Sequence, residues 1–313
     1  MTIDQKFIDQ FVNVTSKAAV ASYNLIGKKD KIAADKAAVD SMRNELNQLN
    51  IRGKIVIGEG ELDEAPMLYI GEDVGTNYGP EIDIAVDPLE GTNFAANNLP
   101  GALSVIAIAE KNNLFNAPET YMEKISAKVT GEGVIDLDYS TKKNIFNLCE
   151  YLNKKPESIT ACIMDRPRHK DIIDELDILG VKIKLITDGD VSGALLVTDD
   201  KYGVDIFLGI GGGPEGVLAS AALDTFECNF QGRFLFHTED DMRRAKKMGI
   251  KDLTKKYQLK EIIRGDTIFC ATGITSSDLV SGIKIENDEY ISETLITHKS
   301  SGIKKIIKKV ENK

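Results

Sequence analysis

The chain has 313 residues, of which 42% are hydrophobic, and carries a formal net charge of −10. That length suits one large domain or two packed lobes with a sizeable core. The acid surplus argues against nucleic acid or an anionic membrane as partner, and no apolar run is long enough to span a bilayer.

Met1 to Gln10 is polar and mixed in charge, without the apolar core of a signal peptide. The four cysteines (Cys149, Cys162, Cys228, Cys270) lie far apart and form no CxxC, the pattern of buried free thiols in a reducing cytoplasm. Phe7, Phe11, Val14 and Ala18 recur at helical spacing, which predicts an amphipathic helix over 4–26, broken at Gly27-Lys28-Lys29-Asp30. A second helix follows, with Ala34, Ala38, Met42, Leu46 and Leu49 on one face. On spacing alone Asp35 lies in its first turn, where the helix dipole stabilises a carboxylate. Lys54 to Ile57 is a short buried strand that runs into Gly58-Glu59-Gly60-Glu61. A short helix or turn is expected within Leu62 to Gly71, after Pro66.

The next strand, Glu81 to Val86, runs straight into Asp87-Pro88-Leu89-Glu90-Gly91-Thr92. Pro88 lacks the ladder N–H, so the strand is expected to stop there, with Asp87 and Glu90 at its mouth. Gly91-Thr92 can open a turn or helix whose N–H groups face an anion. Carboxylates for a hard cation, N–H groups for phosphate and a nearby hydroxyl are parts of metal-assisted phosphate hydrolysis. Alone, this string is also an acidic turn with a helix cap.

Ala102 to Ala109 and Tyr121 to Val129 read as strands, and Thr141 to Leu152 as a helix capped by Thr141. Near 153–157 a soft boundary divides a mixed lobe, 1–155, from an alternating one, 156–313. Strands at Ile159 to Met164, Val181 to Ile186 and Val204 to Gly209 alternate with helices at Arg168 to Leu179 and Pro214 to Phe226. This predicts α/β architecture with a largely parallel sheet. The tail, with Ile303, Ile306 and Ile307 among lysines, reads as a solvated edge strand or a terminal helix.

Ligands of open α/β sheets bind beyond the carboxyl ends of strands. If those ends converge, they gather Glu59, Asp87, Glu90, Asp188, Asp190 and Glu215. Two carboxylates about 4 Å apart repel by roughly 4 kcal/mol at an effective dielectric near 20, so such a cluster calls for a divalent cation. With three histidines and no cysteine pair, Mg²⁺ or Mn²⁺ suits it better than a soft metal. Arg166, Arg168, His169 and Lys170 form a basic knot, for an anionic group or as a solvated helix start, with His169 as an oriented support or a surface residue rather than a metal ligand. Two other motifs compete. Gly211-x-Gly213-x-x-Gly216 matches a dinucleotide fingerprint but contains Glu215, a poor neighbour for pyrophosphate. Asp188-x-Asp190 after a strand is similar to aspartyl-nucleophile phosphatases, although 187 residues precede it.

Several long strings together resemble class II fructose-1,6-bisphosphatase, of the lithium-sensitive sugar-phosphatase superfamily. They are VIGEGELDEAPMLYIGEDVG (56–75), DPLEGT (87–92), NAPETYMEKI (116–125), RPRH (166–169), DGDV (188–191), GIGGGPEGV (209–217) and ATGIT (271–275). The resemblance covers nearly the whole chain. It implies one phosphatase unit over 1–313, an α/β fold built as a layered α-β-α-β-α sandwich, with 1–155 as the metal-motif lobe. It implies Asp35 and Glu59 as ligands of one ion, Mn²⁺ or Mg²⁺, and Asp87, Glu90 and Glu215 as ligands of another. Thr92 then orients the attacking water. Substrate contacts carried over are Glu90, Gly91, Thr92, Tyr121, Arg166, Pro167, Arg168, Asp188, Gly189, Asp190 and Gly212. Two departures are visible: Arg166 stands where some members carry Lys, and the segment from His237 to Asp241 is shorter than in some members.

The expected reaction is removal of the 1-phosphate of fructose 1,6-bisphosphate to give fructose 6-phosphate, a step of gluconeogenesis. Sedoheptulose 1,7-bisphosphate is an alternative or second substrate, and a non-catalytic sugar-phosphate-binding regulator is the competing class. The expected partner is a small sugar bisphosphate, in a cytoplasmic homodimer or homotetramer, with neither nucleic acid nor membrane.

Overall fold

Phe7, Phe11, Val14 and Ala18 are all buried along one face of α1 (Phe7–Tyr23), as their spacing demands. Gly27, at φ +74°, turns the chain, and the Asp30 carboxylate accepts from the Ala33 N–H at 2.9 Å to cap α2 (Lys31–Leu46). The computed structural model describes residues 3–58 and 68–313. It divides into two compact units, Met1–Asn116 with Ile263–Lys313 and Ala117–Ile262. Residues 153–157, where the sequence suggests a soft boundary, lie inside the second unit.

After α2 the first unit continues through β1 (Arg52–Ile57), β2 (Asp73–Val74), β3 (Glu81–Glu90), α3 (Thr92–Asn97) and β4 (Leu103–Glu110). In the second unit come β5 (Tyr121–Ala127), α4 (Thr141–Leu152), β6 (Thr160–Met164), α5 (Lys170–Ile178), β7 (Lys182–Ile186) and α6 (Asp190–Leu195). It ends with β8 (Ile206–Gly212), α7 (Gly213–Thr225), β9 (Asn229–Leu235), α8 (Glu239–Lys247), β10 (Lys256–Gln258) and α9 (Leu259–Ile262). The chain then returns to the first unit as β11 (Thr267–Gly273), β12 (Lys284–Glu286), β13 (Glu289–His298) and β14 (Ile303–Asn312).

The first unit is a helix layer on an eight-stranded sheet of order β12-β13-β11-β4-β3-β1-β2, with β14 also paired to β13. Ile82, Ile84 and Val86 of β3, with Ile106, Ile108, Ile268, Cys270 and Ile296 from its neighbours, pack against α1 and α2. The second unit is a six-stranded sheet of order β10-β9-β5-β8-β6-β7. Ile125 and Ala127 of β5 face the core built with α4 and α5. The alternate residues face the other way, where Ser126 Oγ donates to the Ala194 carbonyl of α6. The α/β class expected from the sequence holds. No helix among the described residues is long and apolar enough to cross a membrane, and all four cysteines are free and buried.

Several local expectations need correction. Asp35 stands in the second turn of α2, because Asp30 caps the helix one turn earlier, so the dipole role assigned by spacing has little reach there. The α4 cap is Ser140, whose Oγ accepts from the Lys143 N–H at 3.2 Å, because Thr141 is already helical. Strand β3 does not stop at Pro88 but runs to Glu90. The second sheet is mixed rather than largely parallel. β6 pairs in parallel with β7 and β8, but β5 enters between β8 and β9 and is antiparallel to both. The expected turn or short helix in 62–71 falls mostly outside the described residues. The lysine-rich tail is the edge strand β14, not a helix.

Losing the Asp30 cap leaves an N–H of the first turn of α2 without its acceptor. Asp30→Ala is expected to cost about 1 kcal/mol and to lower Tm by about 2 °C, read by thermal unfolding at neutral pH.

Candidate active site

In the first unit, β1 and β3 are parallel neighbours, with Ile57 opposite Ala85. Gly58, the last described residue before Glu59, therefore lies at the same sheet end as Asp87. Glu59 itself lies outside the described residues. In the pairing of β3 with β4, Asp87 faces Val105 and Glu90 faces Leu103, so three steps on one strand match two on the other. This is a bulge of one residue, and it contains Pro88, whose missing N–H costs the ladder nothing there. Residues three apart on a regular strand point to opposite faces. The bulge cancels one step and turns Asp87 and Glu90 to the same face, while Leu89 joins Val86 in the helix-side core. Glu90 is buried and Asp87 half-buried.

Gly91 then takes a left-handed conformation, φ +78° and ψ +50°, and Thr92 opens α3. A Cβ at Gly91 would lie 2.8 Å from the Phe94 ring, so glycine is required by both backbone and space. The Gly27 and Lys29 N–H groups donate to the Ala95 and Ala96 carbonyls of α3, each at 2.9 Å. The loop leading into α2, which carries Asp35, is thus fastened to the helix that begins at Thr92. The ATGIT string fastens the segment between α3 and β4: the Ile274 N–H donates to the Ala102 carbonyl, and the Ala102 N–H to Thr275 Oγ1, both at 2.9 Å.

In the second unit, β6, β7 and β8 are parallel, so Arg166 to Arg168, Asp188 to Asp190 and Gly211 to Glu215 emerge at one end of the sheet. Tyr121 joins them because antiparallel β5 begins opposite Gly212. His169 is fully buried, with Nδ1 2.7 Å from the Met164 carbonyl and Nε2 accepting from the Ile210 N–H at 2.8 Å. Nδ1 therefore carries the proton. Burial holds this imidazole below its ordinary pKa, and both nitrogens are occupied, so it is a support and not a metal ligand. Arg168 Nε donates to the carbonyl of the same Ile210 at 2.9 Å, and its guanidinium lies 4.9 Å from the centre of the Tyr121 ring. The His237 ring meets Tyr121 edge-on at 5.9 Å. Arg168 and Pro167 are exposed, and Arg166 is half-buried.

Lys124 was not singled out from the sequence. It sits on β5 at 2% exposure, and its ammonium pairs with Asp190 Oδ2 and donates to the Gly212 carbonyl at 2.5 Å. The signal was available: Lys124 alternates with Met122 and Ser126, so it shares their inward face. Asp190 Oδ1 is buried and has no hydrogen-bond partner among the described residues. Asp190 presses on Gly211 and Glu215 on Gly212 so closely that neither glycine has room for a Cβ. Burial first pushes the Glu215 carboxyl up; Lys124 opposes this, and Asp190 and Asp188 add to it.

Set against known proteins, residues 5–311 match the model of the bacterial, glpX-encoded fructose-1,6-bisphosphatase. The chain belongs to this family. It is thus a fructose-bisphosphatase by family, a phosphoric monoester hydrolase. A Synechococcus sp. (strain CC9902) protein named D-fructose 1,6-bisphosphatase class 2/sedoheptulose 1,7-bisphosphatase is 42% identical over 308 residues, covering 94% of this chain and 92% of its own. A protein of the same name from Synechococcus sp. (strain JA-3-3Ab) is 40% identical over 324 residues, covering 96% and 93%. Among solved structures, the extragenic suppressor protein suhB from Bartonella henselae aligns with a TM-score of 0.36 at 13% identity, over 62% of this chain and 74% of that one.

For a bisphosphatase of this family, the donors fit a divalent hard cation. Asp35, Asp87, Glu90 and Glu215 offer only carboxylate oxygens, whereas the cysteines are buried apart and His169 is occupied. Among the described residues alone, no cluster of three or more His, Cys, Asp or Glu is close enough to hold an ion.

Gly212 has ordinary extended backbone, φ −68°, and the atoms a methyl there meets first are those of the Glu215 carboxylate. Gly212→Ala is expected to lower kcat/KM about tenfold or more, about 1.4 kcal/mol, while Tm stays within a few degrees. The His169 contribution to stability is complete above the ordinary pKa of 6.5 and is lost as pH falls from there toward the depressed folded value. His169→Asn is expected to be less stable at pH 7.5 yet to show a flatter loss of Tm between pH 7.5 and 5. Parallel slopes would show that the fold leaves the His169 pKa at its ordinary value.

Proposed function

We propose that this chain hydrolyses the 1-phosphate of fructose 1,6-bisphosphate, releasing fructose 6-phosphate and phosphate. The observation that carries the reading is the grouping at one end of the second sheet. Cationic Arg166 and Arg168, the aromatic Tyr121, and the carboxylates of Asp188, Asp190 and Glu215 all lie there. Guanidinium groups suit a phosphate, an aromatic ring suits a sugar face, and carboxylates accept sugar hydroxyls. Arg166 and Arg168 hold the 6-phosphate, and Asp188 and Asp190 accept hydroxyls of the sugar, with Gly189 and Gly212 leaving room for it. Pro167 starts the 3-10 turn that presents Arg168.

Asp87, Glu90 and Glu215 are the proposed ligands of one divalent ion, Mn²⁺ or Mg²⁺, and Asp35 and Glu59 of another. When bound, such an ion supplies positive charge for the oxygens of the reacting phosphoryl group. Thr92 Oγ orients the attacking water, and the Gly91 turn fixes where that hydroxyl stands. Sedoheptulose 1,7-bisphosphate is proposed as a second substrate, since the curated relatives carry both names and the same groups serve a longer sugar. The proposed setting is the cytoplasm, in a homodimer or homotetramer.

Phosphate release is measured with fructose 1,6-bisphosphate in Mn²⁺, Mg²⁺ or EDTA, beside fructose 1-phosphate, fructose 6-phosphate, sedoheptulose 1,7-bisphosphate and an inositol phosphate. Metal-dependent release from the bisphosphates, with little from the monophosphates, is expected. Binding without any release would favour a regulatory protein instead. Thr92→Ala is expected to lower kcat about 100-fold with KM little changed. An unchanged kcat removes Thr92 from the mechanism.

A further inference from the structure

Outside the residues assigned so far, the group with the most unusual surroundings is the Lys124 ammonium. A lysine at 2% exposure gives up its hydration, and it is retained only where its donors are matched. Here the partners belong to two residues assigned to substrate, the Asp190 carboxylate and the Gly212 carbonyl. The bond to Asp190 engages Oδ2 alone. Oδ1 of the same carboxylate is buried, without a partner among the described residues, although Asp190 is only 8% exposed. A buried carboxylate oxygen left unsatisfied is costly, and it is a ready acceptor for a donor that arrives with a ligand. The carboxylate packs so closely on Gly211 that a side chain there would displace it.

We propose that Lys124 is a positioning residue for substrate. By holding Oδ2, it fixes the Asp190 carboxylate so that Oδ1 receives a hydroxyl of the sugar. By holding the Gly212 carbonyl, it fixes the strand end that bounds the same sugar. Its positive charge stands against Asp190 beside Asp188 and Glu215 and takes no part in phosphoryl transfer. The inference rests on the bisphosphatase reading and adds a specificity role to a residue that touches no substrate itself.

The test is a double-mutant cycle on the full chain, with fructose 1,6-bisphosphate and saturating Mn²⁺, reading KM, kcat and Tm. Lys124→Met is expected to raise KM about tenfold with kcat within about threefold, and Asp190→Asn to do the same. Because one residue acts through the other, the double variant is expected to have a KM within about twofold of Asp190→Asn alone. A KM for Lys124→Met within about twofold of wild type overturns the proposal. So does a double variant in which the two increases multiply, or a loss confined to Tm and kcat. If Lys124→Met melts below the assay temperature, Lys124→Gln, which leaves Asp190 an amide donor, goes through the same cycle under the same criteria. No turnover by the wild-type chain would count against the bisphosphatase reading itself, whereas turnover with multiplying effects counts against Lys124 alone.

Discussion

A one-residue bulge at Pro88 decides where the acids of the first unit point. In an unbroken strand Asp87 and Glu90 would face opposite ways, one of them into the apolar layer shared with α1 and α2. A buried carboxylate there would have neither hydration nor a cation, and its cost would exceed what the surrounding isoleucines contribute. The bulge moves both acids to one face and leaves Leu89 in the core. Gly91, left-handed and pressed by Phe94, then turns the chain so that Thr92 begins a helix rather than a further strand residue. Three features of the motif (the proline, the glycine and the acid spacing) thus serve one geometric requirement.

The second unit solves a related problem with charge. Three carboxylates, Asp188, Asp190 and Glu215, come from the ends of neighbouring elements, and their mutual repulsion would splay those ends. The buried Lys124 answers part of that repulsion from within the sheet. Glycine at 211 and 212 lets the acids approach the backbone closely. His169 and Arg168 take the N–H and the carbonyl of Ile210, so the strand behind the acids is fixed from its other side. The guanidinium that rests on Tyr121 is therefore held in place by its own hydrogen bond.

Within the first unit, part of the packing is local and part is not. The α1–α2 hairpin and its apolar stripe follow from residues close in sequence. The eight-stranded sheet takes β11, β13 and β14 from the far end of the chain, and β4 pairs with β11 across more than half the sequence. Such long-range pairings leave no mark in a local window, and so after residue 226 the only element read from periodicity was the lysine-rich tail.

Periodicity and local sterics alone account for much of the fold. Helix faces, the strands flanking Pro88, the glycine turns and the α/β class are all written in the spacing of apolar residues and in the few residues that tolerate special backbone. Long strings such as DPLEGT and GIGGGPEGV also carried the family, because many fixed positions in order are specific where each motif alone is not. Tertiary structure decided the rest. It carried β3 past Pro88, because a bulge tolerates a missing N–H where a regular ladder does not. It made the second sheet mixed, because β5 fills the place between β8 and β9. It placed Lys124 between Asp190 and Gly212, since an ion pair across 66 residues depends on which strand lies over which helix. Local spacing fixes which face a side chain takes, but only packing fixes what that face meets.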